Sequence, residues 1–368
     1  MKSKKILANL SAYKQGKQTS EVQKEYNLDR IVKLASNENP YGCSQKVKEQ
    51  LTLSDFEFEI YPDGYALELR TGLSDKWNVK ETELILGNGS DDLITVICRA
   101  FLDDGLNTVM AKPTFTQYKH HALIEGAEVI EVPTVDGYHD LNGMLEAIDE
   151  NTSVVWLCSP DNPSGTLISK EKFNSFIDEC PKDVLVVLDE AYYEFVEESL
   201  KLHAERNIND YENVIILRTF SKAYGLAGLR IGYGISTESI IERLDVVRGP
   251  FNTSSFAQQA ALIALNDDEF ITETTSLNES VKKHFLNHLE EIGWSYFDSH
   301  SNFVLVKTPI DSDKASQYLL ERGFIVRSGA ALGYDHSFRV TLGNQKDMEE
   351  LQDILTEMNK QINDGVLK

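Results

Sequence analysis

The middle of the chain alternates short, continuous apolar runs with stretches of helical character. The runs at 154–158, 184–188 and 214–217 contain almost no polar residue. Strands have such continuous apolar sequences when both of their faces are buried, as in a mainly parallel sheet. Helical stretches between such strands indicate right-handed crossovers. The sequence therefore predicts an α/β fold.

The organisation of the chain changes after Pro250, and 368 residues exceed what one hydrophobic core usually supports. Residues 1–45 form a polar arm that we assign to the small domain and to dimer contacts. Residues 46–250 form a large domain and residues 251–368 a small α+β domain. In the small domain we predict long helices over 254–292, and strands over 303–307, 324–327 and 338–342.

The charge balance limits the partners. The chain has 36 Lys and Arg against 59 Asp and Glu, a formal charge of −23. That field repels phosphates, so we expect neither nucleic-acid nor membrane binding. No apolar run approaches the ~20 residues of a membrane span, no secretory signal is evident, and four scattered cysteines indicate reduced thiols. We expect a cytoplasmic protein in which local positive groups hold any anionic ligand.

Polar, turn-forming residues follow four of the predicted strands. They are Gly87–Asp91, Ser159–Thr166, Asp189–Tyr193 and Arg218–Lys222. Ligands bind at the carboxyl ends of the strands in open α/β sheets, so these segments should meet at one rim.

Each of these residues, taken alone, has an ordinary structural alternative. Gly87–Asp91 offers backbone N–H groups to a phosphate, but a glycine turn with a polar cap is also how many helices begin. Asp189 needs a cation or several donors if it is buried, or it caps the next helix. Lys222 is a potential amine nucleophile or a solvated surface lysine. Arg230 is placed to clamp a phosphate.

Taken together, these residues match one cofactor. A phosphorylated carbonyl cofactor with a pyridine ring needs a lysine amine, an anion at the ring nitrogen, a phosphate cup, a donor to the ring oxygen and a flat side chain over the ring. The chain supplies them as Lys222, Asp189, Ser90 with Arg230, Asn162 with Tyr192, and Phe115. That set describes pyridoxal 5′-phosphate.

The sequence also resembles a known family over nearly its whole length. It is similar to the fold-type I aminotransferases that depend on pyridoxal phosphate, and within them to the histidinol-phosphate aminotransferases. The resemblance implies a mainly parallel, seven-stranded sheet in a large domain and a small α+β domain. The motifs that carry it are Leu34–Gly42, Tyr61–Asp63, Gly87–Asp91, Ser159–Thr166, Leu188–Tyr192, Thr219–Arg230 and Arg339–Gly343.

The resemblance implies a role for each matching residue. The catalytic residues are Lys222, which joins the cofactor as an imine, Asp189 at the ring nitrogen and Tyr192, which with Asn162 bonds the ring oxygen. Phe115 stacks on the ring. The phosphate is surrounded by Ser90, Asp91, Thr219, Ser221 and Arg230, and Tyr61 reaches it from the neighbouring subunit of a homodimer. Substrate contacts fall to Tyr13, Asn37, Arg327 and Arg339.

The implied reaction is a ping-pong transamination in histidine biosynthesis. It interconverts histidinol phosphate and 2-oxoglutarate with imidazole acetol phosphate and glutamate. An aromatic aminotransferase or a dual-specificity enzyme is the first alternative. A phosphothreonine-type decarboxylase and a non-catalytic cofactor-binding regulator rank lower.

Arg327 has a surface salt bridge as its alternative role. His284 and His288 lie four apart, but no third ligand is evident, so we predict no metal site.

Overall fold

The computed structural model describes residues 3–8, 10–12 and 19–367. Its strands are β1 (Val32–Lys33), β2 (Leu84–Gly87), β3 (Asn107–Lys112), β4 (Glu128–Pro133), β5 (Thr152–Cys158), β6 (Leu185–Asp189), β7 (Val214–Thr219), β8 (Gly232–Ser236), β9 (Phe303–Lys307), β10 (Phe324–Ile325), β11 (Arg327–Ser328) and β12 (Ser337–Thr341). Its α-helices are α1 (Thr19–Tyr26), α2 (Gln45–Leu53), α3 (Leu67–Trp77), α4 (Ser90–Phe101), α5 (Thr116–Glu125), α6 (Leu141–Glu146), α7 (Lys170–Glu179), α8 (Glu238–Val247), α9 (Ser255–Leu265), α10 (Asp268–Glu291), α11 (Ser312–Leu320) and α12 (Gln345–Asn363).

A seven-stranded sheet forms the centre of the molecule, with the order β2-β8-β7-β6-β5-β3-β4. The pairs from β7 to β4 are parallel, whereas β8 runs antiparallel to both of its neighbours. The predicted α/β fold with a mainly parallel sheet is confirmed.

Both faces of this sheet are buried, as the continuous apolar runs predict. Along β5, Val155 and Leu157 belong to one hydrophobic core and Val154 and Trp156 to another. Successive side chains of a strand point to opposite faces, so each core covers one side of the sheet.

Strand β8 was not predicted. Its sequence, from Gly232 to Ser236, contains two glycines and so does not resemble a buried strand. The structure explains Gly232, since a Cβ there would lie 2.7 Å from the backbone nitrogen of Ser90. Close approach of β8 to the start of α4 therefore requires glycine at this position.

A second, smaller unit holds its own core around a three-stranded antiparallel sheet, β11-β12-β9, covered by α11, α12 and the second half of α10. One strand was predicted over 324–327, and this was wrong. The chain changes partner at Val326, so that β10 pairs with β1 and β11 pairs with β12.

The segment before the large sheet is tied to the smaller unit. The backbone N–H of Leu34 donates to the carbonyl oxygen of Ile325, and the carbonyl oxygen of Leu34 accepts from the backbone N–H of Thr341. These bonds place Asn37 between the large sheet and the smaller unit. The domain boundary near 250 stays a prediction. Hydrophobic packing continues past it, because α9 packs with the core of the large sheet.

Candidate active site

One cavity of about 520 Å³ lies between the large sheet and the smaller unit. The strand ends of β5, β6 and β7 contribute to it, as the rule for open sheets predicts. Thirteen of the fifteen candidate residues line it: Asn37, Ser90, Asp91, Phe115, Asn162, Asp189, Tyr192, Thr219, Ser221, Lys222, Arg230, Arg327 and Arg339.

Lys222 follows β7 in a loop that packs tightly on the N-terminal segment. Gly225 has a φ of +69°, and a Cβ there would lie 1.8 Å from the carbonyl oxygen of Gly42. The amine of Lys222 donates to the carbonyl oxygen of Ser36 at 3.1 Å. Burial, reinforced by the charge of Arg339, lowers the pKa of Lys222 to about 8. A substantial fraction of the amine is therefore unprotonated, and nucleophilic, near neutral pH.

Asp189 is the last residue of β6 and is 3% exposed. One carboxylate oxygen accepts from the hydroxyl of Tyr118 at 2.6 Å, and the other accepts from the backbone N–H of Ala191 at 3.1 Å. Burial raises the pKa of Asp189 to about 6. A cationic nitrogen placed beside this carboxylate would relieve the cost of burying it.

Two amides surround the phenol of Tyr192. Asn37 donates to its oxygen at 2.9 Å and Asn162 at 3.3 Å. A hydroxyl oxygen that accepts two donors keeps its own proton for a third group. Asn37 is itself held by Thr341, whose hydroxyl donates to its side-chain oxygen at 3.0 Å. Asn162 is in turn the acceptor for the guanidinium of Arg339.

A cup of donors lies at the N-terminus of α4. The helix begins at Ser90, after Gly89 with a φ of +82°, and a Cβ on Gly89 would lie 2.4 Å from the guanidinium of Arg230. Arg230 donates to the hydroxyl of Ser221 at 3.3 Å, and Thr219 donates to the same hydroxyl at 2.9 Å. A helix N-terminus, hydroxyls and a guanidinium form a binding site suited to phosphate.

Two arginines face the cavity from the smaller unit. Arg327 and Arg339 are directly opposite each other in the antiparallel pair β11 and β12. Arg339 is 7% exposed and donates to the carbonyl oxygen of Ala35 at 2.9 Å. Two neighbouring guanidinium groups suit a carboxylate or phosphate on a substrate.

Of the two remaining candidates, one cannot be placed and the other lies at the surface. Tyr13 lies outside the described residues. Tyr61 is 78% exposed, and its ring stacks on Phe251 with centroids 4.8 Å apart. Within one chain Tyr61 is a surface residue.

Sequence reasoning missed two buried residues that support the site. Tyr118 contacts Asp189 from α5. Asp161 is fully buried and accepts from the hydroxyls of Thr114 and Ser164, which fixes the loop that carries Asn162. The spacing places Tyr118 on the first turn of α5, three residues after Phe115 at the N-cap, but it does not show where the hydroxyl points.

Comparison with known proteins identifies the class. The family described as "Aminotransferase class I and II" matches residues 29–355. The chain belongs to this aminotransferase family.

More specific relatives share one name. The chain is 54% identical over 363 residues to "Histidinol-phosphate aminotransferase 2" of Oceanobacillus iheyensis, covering 98% of this chain and 100% of the relative. It is 50% identical over 359 residues to "Histidinol-phosphate aminotransferase" of Bacillus subtilis, covering 97% and 100%. A solved structure from Sinorhizobium meliloti, histidinol-phosphate aminotransferase in complex with pyridoxal-5′-phosphate, superposes with a TM-score of 0.89 at 27% identity, covering 97% of both chains.

Proposed function

We propose that the protein is a pyridoxal-phosphate-dependent aminotransferase that interconverts histidinol phosphate and 2-oxoglutarate with imidazole acetol phosphate and glutamate, in histidine biosynthesis. The observation that carries this proposal is the cavity itself, which combines a lysine amine, a buried carboxylate, an anion cup and two arginines. The relatives at about 50% identity support the same substrate. They do not favour the aromatic aminotransferase.

The residues of the cavity fit pyridoxal phosphate. Its phosphate suits the cup formed by the start of α4, Ser221 and Arg230, which a side chain on Gly89 would obstruct. Its ring nitrogen suits Asp189, and its ring oxygen suits the hydroxyl of Tyr192. When bound, the cofactor supplies an aldehyde that condenses with amines and a ring that takes up negative charge from carbon.

In this proposal each residue of the site has one task. Lys222 would hold the cofactor through its amine. Once a substrate amine has displaced it, the free amine of Lys222 would take a proton from the substrate carbon that bears nitrogen and deliver it to the cofactor carbon that carried the aldehyde. Asp189 keeps a positive charge on the ring nitrogen. Phe115 covers the ring, and Asn37 with Asn162 orients the phenol of Tyr192.

Substrate selection rests on the two arginines. Histidinol phosphate carries a CH2–O–phosphate group where glutamate carries its α-carboxylate, so one guanidinium can bind the anionic group in both half-reactions. We assign that task to Arg339, because its side chain is more buried than that of Arg327 and donates to the side-chain oxygen of Asn162. Arg327 adds a contact to the phosphate, and Tyr13 is proposed as a further one.

The test is a substrate panel on the purified enzyme with glutamate as donor. Imidazole acetol phosphate should give a kcat/KM far above that of phenylpyruvate. Arg327→Gln should lower kcat/KM for the phosphorylated substrate about tenfold or more while changing the glutamate half-reaction less, since it removes a charged hydrogen bond. A preference for phenylpyruvate would overturn the substrate, and equal losses would overturn the role of Arg327.

We also propose a cytoplasmic homodimer with Tyr61 at the phosphate of the partner. Support comes from exposed apolar side chains that precede Tyr61 in the chain, Leu53 and Phe58, and from the exposed Phe251 on which its ring stacks. All four cysteines are free thiols, which suits a reducing compartment. Within the described residues, no helix has the length and apolarity to cross a membrane.

The dimer is tested by light scattering and by cofactor affinity. Tyr61→Phe should weaken cofactor binding without changing the mass in solution, because only one hydroxyl is lost. Tyr65→Phe, another exposed tyrosine nearby, is the matched control and should change neither. A monomeric mass at working concentration would contradict the proposal.

A further inference from the structure

Tyr118, the tyrosine behind the carboxylate of Asp189, is fully buried. The hydroxyl of Tyr118 donates to one oxygen of Asp189 at 2.6 Å, while the backbone of Ala191 donates to the other. Donors on both oxygens fix the plane of the carboxyl group. A phenol and a carboxylate at this distance make a short hydrogen bond of the stronger, charge-assisted kind.

The ring of Tyr118 is held in place from two sides. It stacks on Trp156 with centroids 4.6 Å apart and planes at 12°, and it meets Phe115 edge-on at 5.5 Å. Trp156 is anchored in turn, since its indole N–H donates to Thr108 at 2.8 Å. The hydroxyl is therefore aimed by packing and not by the carboxylate alone, so the donor is in place before any ligand arrives.

The electrostatics favour a donor at this point. Burial raises the pKa of Asp189, and the hydrogen bond from Tyr118 opposes that rise. Burial also raises the pKa of Tyr118 well above its ordinary value, so the phenol keeps its proton and acts as a donor. Other titratable groups act on the pair from α4, β5 and the loops that follow β5 and β6, namely Asp91, Cys158, Asp161, Glu190 and Tyr192.

We propose that Tyr118 is a positioning residue that acts through Asp189, holding its carboxylate ionised and oriented toward the nitrogen of the cofactor ring. This inference rests on the proposed cofactor. Without the hydroxyl, the proton shared between the ring nitrogen and Asp189 moves toward the carboxylate, and the ring accepts charge less well. Phe115 covers the ring directly; Tyr118 sets its charge from the far side of Asp189.

The variant Tyr118→Phe isolates the hydroxyl, because the ring and its stacking on Trp156 are kept. Tyr318→Phe is the matched control. Tyr318 is 6% exposed, and its hydroxyl oxygen makes no hydrogen bond to any of the described residues. Both variants delete one buried hydroxyl, but only the first touches Asp189. A merely structural role for Tyr118 would alter stability and leave the ionisation of Asp189 unchanged.

The measurement is the carboxyl titration of Asp189 in cofactor-free protein carrying 13C-labelled aspartate, assigned by its loss in Asp189→Asn. The wild type and Tyr318→Phe should titrate near 6. Tyr118→Phe should titrate about one to two pH units higher, because a hydrogen bond to a charged group changes an equilibrium about ten- to a hundredfold. In the loaded enzyme, the 15N signal of the labelled ring nitrogen should move toward the unprotonated position in Tyr118→Phe alone.

Identical titrations in Tyr118→Phe and Tyr318→Phe would overturn the inference. If Tyr118→Phe does not fold, the wild type with 13C-labelled tyrosine answers the question. One tyrosine signal that persists in Tyr192→Phe must then follow the ionisation of Asp189 and stop doing so in Asp189→Asn, and absence of such a signal overturns the inference. Failure of the wild type to bind pyridoxal phosphate would instead reject the proposed function.

Discussion

Replacing Arg339 with glutamine should slow the attachment of an aldehyde to Lys222 at neutral pH. The pKa of Lys222 is lowered to about 8 by burial first and by Arg339 next. At pH 7.5 a pKa of 8 leaves about a quarter of the amine unprotonated. Loss of one neighbouring like charge raises a pKa by about one unit, which leaves about 3% and slows capture about eightfold.

The assay is the rise of visible absorbance when cofactor-free protein is mixed with pyridoxal phosphate between pH 6 and 10. The midpoint of the rate should lie near 8 for the wild type and about one unit higher for Arg339→Gln, with the rates converging at high pH. Arg327→Gln is the control, since Arg327 lines the same cavity but is not among the charges that act most on Lys222. A midpoint for Arg339→Gln at or below that of the wild type would refute the electrostatic argument.

Two further predictions concern stability. Gly225→Ala should lower the free energy of unfolding by more than about 1 kcal/mol in a denaturant titration, since its Cβ would meet Gly42; Gly228→Ala, with open space around it, should be nearly neutral. Asp189→Asn should stabilise the cofactor-free protein by up to about 3 kcal/mol at pH 7.5 and hardly at pH 4. The pKa of Asp189 is about 6 in the folded protein and 3.8 in the unfolded chain, so the wild type loses stability as the pH rises through that interval. Equal effects at both pH values would contradict this reasoning.

Most of the large sheet was predictable because its strands are buried on both faces. Continuous apolar runs then mark the central strands β5, β6 and β7, and the polar residue after each run marks the rim. Asp189 and Lys222 were found in this way, and the structure places both at one cavity. Strand β8 was missed because close packing against α4 requires glycine where a strand ordinarily has an apolar side chain.

The support behind the site was not predictable, for a different physical reason. Tyr118 and Asp189 are 71 positions apart, and their contact depends on how α5 packs against the sheet. From the sequence pattern alone, a tyrosine near Phe115 is expected to be an ordinary core aromatic. Likewise, Val326 continues an apolar run, and only the presence of β1 on one side and β12 on the other splits that run into two strands.

The central claim is that Lys222 carries the cofactor covalently through its amine. Reduction of the loaded enzyme with borohydride, followed by proteolysis and mass spectrometry, tests it most directly. The account predicts that the cofactor is found on the peptide containing Lys222, and that Lys222→Ala loses both this adduct and the visible absorbance. Recovery of the cofactor on a different lysine, or a catalytically active enzyme with no modified lysine, would contradict it.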